Sequence, residues 1–171
     1  MHTPAQRSIV DRMKGAATLD IATYEEVEAD TTATGQAAAV VGIVAVASAI
    51  GALRGGGLSI IGGLVAAFVG WLVWSGVTYL IGAKVFGGTA TWGELLRTIG
   101  FAQSPGVLLV LGLIPILGWL VRFVVWIWLL IAGVIAIRQA LDFSTGKAVL
   151  TALLGWLCMM VLYAVFFSAL Y

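Results

Sequence analysis

Five long apolar stretches, joined by short links that hold most of the charge, constrain this chain more than any motif does. A helix needs roughly 20 apolar residues to cross a hydrocarbon core of about 30 Å, and each stretch provides about that many. The composition agrees, because 61% of the residues are hydrophobic and 10% are charged. A water-soluble globule of this size could not bury so much apolar surface. The chain is therefore predicted to be an all-α integral membrane protein.

The number of spans follows from the longest apolar run, residues 107–137. As one straight helix of about 31 residues it would measure about 46 Å, which is too long for one crossing and too short for two. A third span that starts upstream and turns around residues 115–118 removes this conflict. The predicted domain, 34–171, then has five spans, at residues 34–53, 58–85, 95–114, 119–138 and 148–170. A re-entrant third segment, with four full crossings, is the alternative.

The orientation follows from the basic residues, since links rich in Lys and Arg stay in the cytoplasm. Five crossings place two basic residues, Arg54 and Arg122, on one side of the membrane. The other side receives Arg7, Arg12, Lys14, Lys84, Arg97, Arg138 and Lys147. We therefore expect a multi-pass protein of the cell membrane, plasma or inner, with a cytoplasmic N-terminus and an extracytoplasmic C-terminus.

The N-terminal segment, 1–33, is predicted to form short amphipathic cytoplasmic helices. One helical face carries Ile9, Val10, Met13 and Ala17. This face fits a helix in the headgroup region or a helix packed on the cytoplasmic loops, and the sequence leaves both open. The segment also holds six of the eight acidic residues of the chain. A solvated helical face is the simpler interpretation of these acids, and a docking surface for a basic partner or a weak divalent-cation site is the functional one. The candidate partner surface is Tyr24, Glu25, Glu26, Glu28 and Asp30.

Small residues recur at helical spacing in the first two spans, where they would let helix backbones approach closely. The candidate packing positions are Gly51, Gly55, Gly62, Ala66 and Gly70. Packing among the five helices of one chain and homo-oligomerisation are both compatible with this pattern.

The third span combines a well-marked helix start with a break. Thr91 and Glu94 form a predicted capping box, and Arg97 lies one turn later, where it could pair with Glu94. Further along, the sequence Gln103-Ser104-Pro105 interrupts the helix, because proline removes a backbone donor that lipid cannot replace. A supported kink is the simpler interpretation, and a polar path for a solute or ion is the functional alternative.

Arg122 is the remaining candidate for an intramembrane polar site, together with Gln103, Ser104 and Pro105. A charged side chain inside a span is a functional candidate by default. Its long stem can also snorkel to the interface, where Trp119 would lie beside it.

We expect no enzyme and no cofactor or metal. The one histidine, His2, cannot complete a serine-protease dyad or a zinc site, and paired intramembrane aspartates are absent from the sequence. The expected partners are the lipid bilayer and either protein subunits or further copies of the chain, and no nucleic acid is expected.

Three segments of the chain resemble prokaryotic members of the YIP-one domain family. They are RMKGAATLDIATYEEVEADTTATGQAAAVV from Arg12, RTIGFAQSPGVL from Arg97 and DFSTGKAVL from Asp142. The resemblance implies a five-span membrane fold with a cytoplasmic N-terminus, and it matches Gly100 and Pro105 to the family's glycine and proline in the third span. The leading hypothesis is a non-enzymatic scaffold or accessory subunit that binds a partner; the alternative is a small oligomeric channel or transporter.

Overall fold

The computed structural model describes residues 7–53 and 60–170. These residues form seven α-helices: α1 (Ile9–Ala17), α2 (Ile21–Ala29), α3 (Thr34–Ala52), α4 (Ile60–Tyr79), α5 (Trp92–Ala102), α6 (Leu117–Ala140) and α7 (Thr145–Leu170). Three further segments have other helix types: a 3₁₀ turn at Thr31–Ala33, a π-helical segment at Leu80–Val85 and a 3₁₀ segment at Ser104–Leu113. No strand occurs in the described ranges.

Five segments are long and apolar enough to cross a membrane. They are Thr31–Ala52, Ile61–Val85, Trp92–Leu113, Leu117–Ala140 and Thr145–Leu162. This confirms the predicted all-α fold with five spans.

The third span changes helix type at the predicted break. It starts at the expected capping box, in which the Glu94 amide donates to Thr91 Oγ1 at 3.3 Å and the Thr91 amide donates to Glu94 Oε2 at 2.8 Å. After α5 it continues as the 3₁₀ segment, whose ten residues exceed the usual three or four. Ser104 Oγ donates to the Phe101 carbonyl at 2.6 Å, so a side chain satisfies one acceptor at the transition.

The third span runs beside α3 in the same direction from Gly100 to Gly112. Three contacts follow each other in order: Gly100 on Ala37, Gly106 on Val44 and Gly112 on Gly51. They are seven residues apart on α3 and six apart on the third span, which the larger rise of a 3₁₀ helix accommodates. A re-entrant segment would turn back on itself and could not keep this order. The third segment is therefore extended, and the re-entrant alternative is wrong.

Glycines bring three backbones together at the end of the bundle that holds the turn 114–116, which we call the distal end. A Cβ on Gly51 would lie 1.9 Å from the Leu109 carbonyl oxygen, and a Cβ on Gly118 would lie 2.7 Å from that of Gly112. Real Cβ atoms do not approach a backbone oxygen so closely, so α3, the 3₁₀ segment and α6 require glycine there. Arg122 Nη2 donates to the Gly51 carbonyl at 3.0 Å and caps the last turn of α3.

The small residues predicted as packing positions in the second span, which we call the second-span stripe, are placed differently from Gly51. Gly62 and Ala66 are exposed on α4, and a Cβ on Gly70 would meet nothing within 4 Å. Gly51 thus packs inside the chain, whereas these three positions face outward. Gly55 lies outside the described residues. Homo-oligomerisation through this stripe stays a prediction.

Helices α1 and α2 form a hairpin that packs along the bundle. Its turn uses Leu19 at a φ of 63°, and the Asp20 amide donates to the Gly15 carbonyl at 2.9 Å to close the end of α1. Trp128 Nε1, halfway along α6, donates to the Ala17 carbonyl at 2.8 Å, and Gln139 Nε2 donates to Glu25 Oε1 at 3.1 Å. The hairpin therefore covers the half of α6 that leads to the other end of the bundle, which we call the proximal end.

The buried side of the hairpin belongs to the main core. Ala16, Tyr24 and Val27 are fully buried in the same apolar cluster as Ala37 of α3 and Leu95 of α5. Of the two sequence-based alternatives, the structure therefore supports a packed hairpin, although the contacts are to the spanning helices and not to the loops alone.

The distal turn contains a strained residue whose replacement should stabilise the protein. Ile116 has a φ of 68°, a region that β-branched residues rarely occupy, and its side chain is 89% exposed. Glycine adopts this conformation without the steric cost, and little packing is lost. We expect Ile116→Gly to raise the free energy of unfolding by about 1 kcal/mol. Unfolding by SDS in mixed micelles, followed by tryptophan fluorescence, measures this; a loss of stability would show that the turn is not strained.

Candidate functional site

Arg12 holds the hairpin to the bundle. Its side chain is 1% exposed, and its guanidinium contacts Glu26 Oε1 at 2.9 Å and Asp30 Oδ2 at 2.7 Å. Arg12 Nη1 also donates to Gln36 Oε1 at 2.9 Å in the first turn of α3. One arginine on α1 thus joins α2, the link to α3 and α3 itself. We call this group of four side chains the Arg12 clamp.

Tyr24 is part of the interior and not of the surface. Its side chain is fully buried, and its hydroxyl donates to the Ala16 carbonyl at 3.0 Å. Burial raises the pKa of the Tyr24 phenol above its usual value of 10, so the hydroxyl stays protonated and keeps donating.

A second arginine ties α2 to α5. Arg97 Nε donates to the Val27 carbonyl at 2.9 Å, and its guanidinium also donates to the Glu28 carbonyl. These are carbonyls of the last turn of α2, which lack partners inside the helix and carry the negative end of its dipole. No ion pair joins Arg97 to Glu94 among the described side chains, so that sequence prediction is wrong.

The proximal end carries four acidic side chains from three separate elements. Glu25 and Glu28 come from α2, Glu94 from the start of α5 and Asp142 from the turn between α6 and α7. Thr89 Oγ1 donates to Asp142 Oδ2 at 2.7 Å and fixes the last of them. We call these four carboxylates the acidic patch. Sequence reasoning missed its last two members, because their distance along the chain gives no sign that they lie near α2.

An open depression adjoins the acidic patch. It has a volume of about 520 Å³. Its lining residues are Arg138, Gln139, Asp142, Phe143, Ser144 and Thr145. Gln139 and Asp142 connect it to the patch, so a partner side chain that enters the depression would lie beside the carboxylates.

Glu28 is the titratable centre of the acidic patch. Its partial burial, and then the negative charges of Glu94, Asp142 and Glu25, raise its pKa from 4.5 to about 7. Arg97 opposes this shift weakly, because its guanidinium is turned toward backbone carbonyls. Near neutral pH, Glu28 is therefore present in both its protonated and its ionised form.

The stability of the protein should fall as the pH rises through this range. The folded state holds the Glu28 proton up to a pH of about 7, whereas an unfolded chain releases it near 4.5. The free energy of unfolding should thus decline between these two pH values and stay level above them. The decline should be modest, because the carboxylate is partly solvated. In detergent, thermal unfolding at pH 5.5 and pH 8 should differ by a few degrees in the wild type. Glu28→Gln should abolish much of that difference; an unchanged difference would assign it to another group.

The structure separates the residues that the sequence analysis grouped as a partner surface. Tyr24 is buried, and Glu26 and Asp30 belong to the Arg12 clamp. Glu25 is exposed and Glu28 is half-buried, and both belong to the acidic patch. Two of the five predicted residues thus face a potential partner.

The candidate intramembrane polar site is also divided. Ser104 and Pro105 are buried at the junction of α5 and the 3₁₀ segment, and Gln103 is half-buried beside them. Arg122 lies at the distal end on the Gly51 carbonyl. Over the described ranges, no three His, Cys, Asp or Glu side chains are placed to hold a metal ion.

Comparison with known proteins gives one family match. The Yip1 domain family matches residues 21–166. The searches of curated proteins and of solved structures found no match. The matched region extends from the first residue of α2 through the five spanning segments, and so includes the acidic patch. The chain is a multi-pass membrane protein that belongs to the Yip1 domain family.

Proposed function

We propose that this protein is a non-enzymatic membrane scaffold or accessory subunit that binds a partner through the acidic patch. The observation that carries the proposal is the assembly of Glu25, Glu28, Glu94 and Asp142 from three elements at one end of the bundle. Burial, and then repulsion by the other carboxylates, raises the Glu28 pKa to about 7, and the repulsion costs stability. A basic partner would relieve this repulsion, so its charge complements the surface.

The support around the patch fits such a role. The Arg12 clamp and Arg97 hold α2 against the bundle, so the patch is part of a fixed surface and needs little ordering when a partner binds. The adjacent depression gives that partner room for a side chain. We infer that the partner presents Lys or Arg residues to this end of the protein.

We propose that the proximal end faces the cytoplasm of a cell membrane, plasma or inner, and that the C-terminus is extracytoplasmic. The proximal elements carry seven of the nine Lys and Arg residues, and Arg122 is at the opposite end. Arg54 lies outside the described residues. The imbalance supports a cytoplasmic proximal end by the positive-inside rule.

A photo-crosslinking experiment tests the partner surface. A crosslinking amino acid at exposed Ala29, next to the patch, should yield one dominant adduct in intact cells, whereas the same residue at exposed Val161 on α7 should not. Adding Glu25→Lys and Asp142→Asn should remove the adduct. Asparagine tolerates the φ of 53° at residue 142, so the turn is kept.

The matched control is Asp11→Lys, which reverses an exposed charge on the same hairpin outside the patch. It should leave the adduct unchanged. An adduct that persists when the patch charges are altered, or that is lost equally with Asp11→Lys, would contradict the proposed partner surface.

A further inference from the structure

The turn of the N-terminal hairpin lies deep along the bundle. Trp128 Nε1 donates to the Ala17 carbonyl, and Trp128 is the twelfth of the 24 residues of α6. It lies ten residues, or about 15 Å, from Arg138 near the proximal end of that helix. Helix α1 also packs on the 3₁₀ segment, which begins only after the break in the third span. The turn therefore reaches about half the depth of a hydrocarbon core of about 30 Å.

The outer surface of this turn is polar. Lys14, Thr18 and Asp20 are exposed, and Arg7 forms an ion pair with Asp20 at 3.6 Å. The pair is open to its surroundings, because the two side chains are 47% and 44% exposed. We call these four residues the polar tip. They would meet hydrocarbon if the bilayer kept its full thickness beside them, and charged groups there are costly.

The exposed apolar band of the bundle has different heights on its two sides. On α4 and the π-helical segment after it, exposed large apolar side chains extend from Ile61 to Val85, and the part up to Leu80 alone rises about 28 Å. This height matches a hydrocarbon core of about 30 Å. On α6 they extend only from Leu117 to Ile131, a rise of about 21 Å, because the hairpin and the neighbouring helices cover the rest. The side that carries the hairpin is therefore too short for the same bilayer.

Phospholipid headgroups with their water fit the surface of the hairpin. The polar tip has charges of both signs, which complement the phosphate and ammonium groups of a zwitterionic headgroup. Exposed Val10 and Ile21 lie among these polar groups, as on a helix at headgroup level. Trp126 and Trp128 lie at the depth of the tip, and tryptophan favours the membrane interface. Local thinning of a bilayer by several Å relieves the larger cost of charges in hydrocarbon.

We propose that the hairpin draws phospholipid headgroups and water toward the polar tip, so that the proximal leaflet is thinner beside α6 than beside α4. The protein then presents two unequal hydrophobic thicknesses to one membrane. The difference between the two apolar bands, about 7 Å, gives the scale of the thinning. This surface is separate from the acidic patch, and the inference does not rest on the proposed partner binding.

Fluorescence quenching in vesicles of dioleoylphosphatidylcholine tests the proposal. The full chain carries Cys158→Ser and one bimane-labelled cysteine, either Thr18→Cys at the polar tip or Val69→Cys, exposed at the middle of α4. Iodide quenches from the water, and lipids brominated on their chains quench from the hydrocarbon. We expect iodide to quench the label at residue 18 several-fold more strongly than the label at residue 69, and brominated chains to give the opposite order.

One further variant shows whether the hairpin stays docked. Tryptophan quenches bimane at short range, so Trp128→Phe should raise the fluorescence of the label at residue 18. Three results would overturn the proposal. Strong quenching by brominated chains at both positions would place the tip in hydrocarbon. Protection of residue 18 from both quenchers would show that another subunit or a second copy covers it. Iodide quenching with no response to Trp128→Phe would show a detached hairpin.

Discussion

Replacement of Arg12 by methionine should lower the free energy of unfolding by about 3 kcal/mol. Methionine keeps much of the side-chain volume but removes the cation that lies between Glu26 and Asp30, so that Glu26 keeps its contact with Arg7 at 3.3 Å and the two carboxylates repel each other. Both carboxylates are largely removed from water, with 30% and 18% of their side chains exposed. The loss of the bond to Gln36 also frees the start of α3. Unfolding by SDS in mixed micelles, followed by tryptophan fluorescence, measures the change.

Three further variants assign this loss to the clamp. Arg12→Lys keeps the charge, but lysine lacks the planar guanidinium that lets arginine contact three partners at once. We therefore expect an intermediate loss of stability. Adding Glu26→Gln and Asp30→Asn to Arg12→Met should recover part of the stability, because the repulsion between the two carboxylates is then removed. Exposed Lys14→Met removes a positive charge from the same helix and should change the stability little. An equal effect of Lys14→Met and Arg12→Met would contradict the clamp.

Replacement of Gly51 by alanine should also lower the free energy of unfolding by about 3 kcal/mol. The new methyl group would lie 1.9 Å from the Leu109 carbonyl oxygen, and a backbone atom cannot rotate away as a side chain can. The 3₁₀ segment must therefore separate from α3, and the bond from Arg122 to the Gly51 carbonyl would be disturbed.

Gly70→Ala is the matched control for this substitution. Gly70 also lies in a spanning helix, but a Cβ there would meet nothing within 4 Å. We expect no loss and a small gain, since alanine favours the helix over glycine. Equal losses for the two variants, measured by the same unfolding assay, would show that helix propensity and not close packing decides the outcome at Gly51.

The fold could be predicted from the sequence because span lengths and helix caps depend on residues that are close together along the chain. The capping box at Thr91 needs residues three positions apart, and the five spans need apolar runs of sufficient length. The contacts of Arg12 and Arg97 could not be predicted in this way. Arg97 looked like a partner for Glu94, but it caps α2, which lies about 70 residues upstream. Two acids of the patch, Glu94 and Asp142, come from elements that only the folded chain brings together.

The N-terminal hairpin also changes how the function should be tested. A polar segment ahead of five spans invites a truncation of residues 1–30. Because Ala16, Tyr24 and Val27 belong to the main core, that truncation would open the bundle as well as remove the partner surface. Surface substitutions such as Glu25→Lys separate binding from folding, since Glu25 is exposed and lies outside the Arg12 clamp.

The most direct test of the partner-binding role is the native mass of the gently solubilised protein, with every copurifying subunit identified, for the wild type and for the Glu25→Lys, Asp142→Asn variant. We predict that the wild type is held in a larger complex with at least one other subunit, and that the variant remains folded but loses it. A homo-oligomer of the same mass for both proteins, with ion or solute flux in proteoliposomes, would contradict the account and favour a pore.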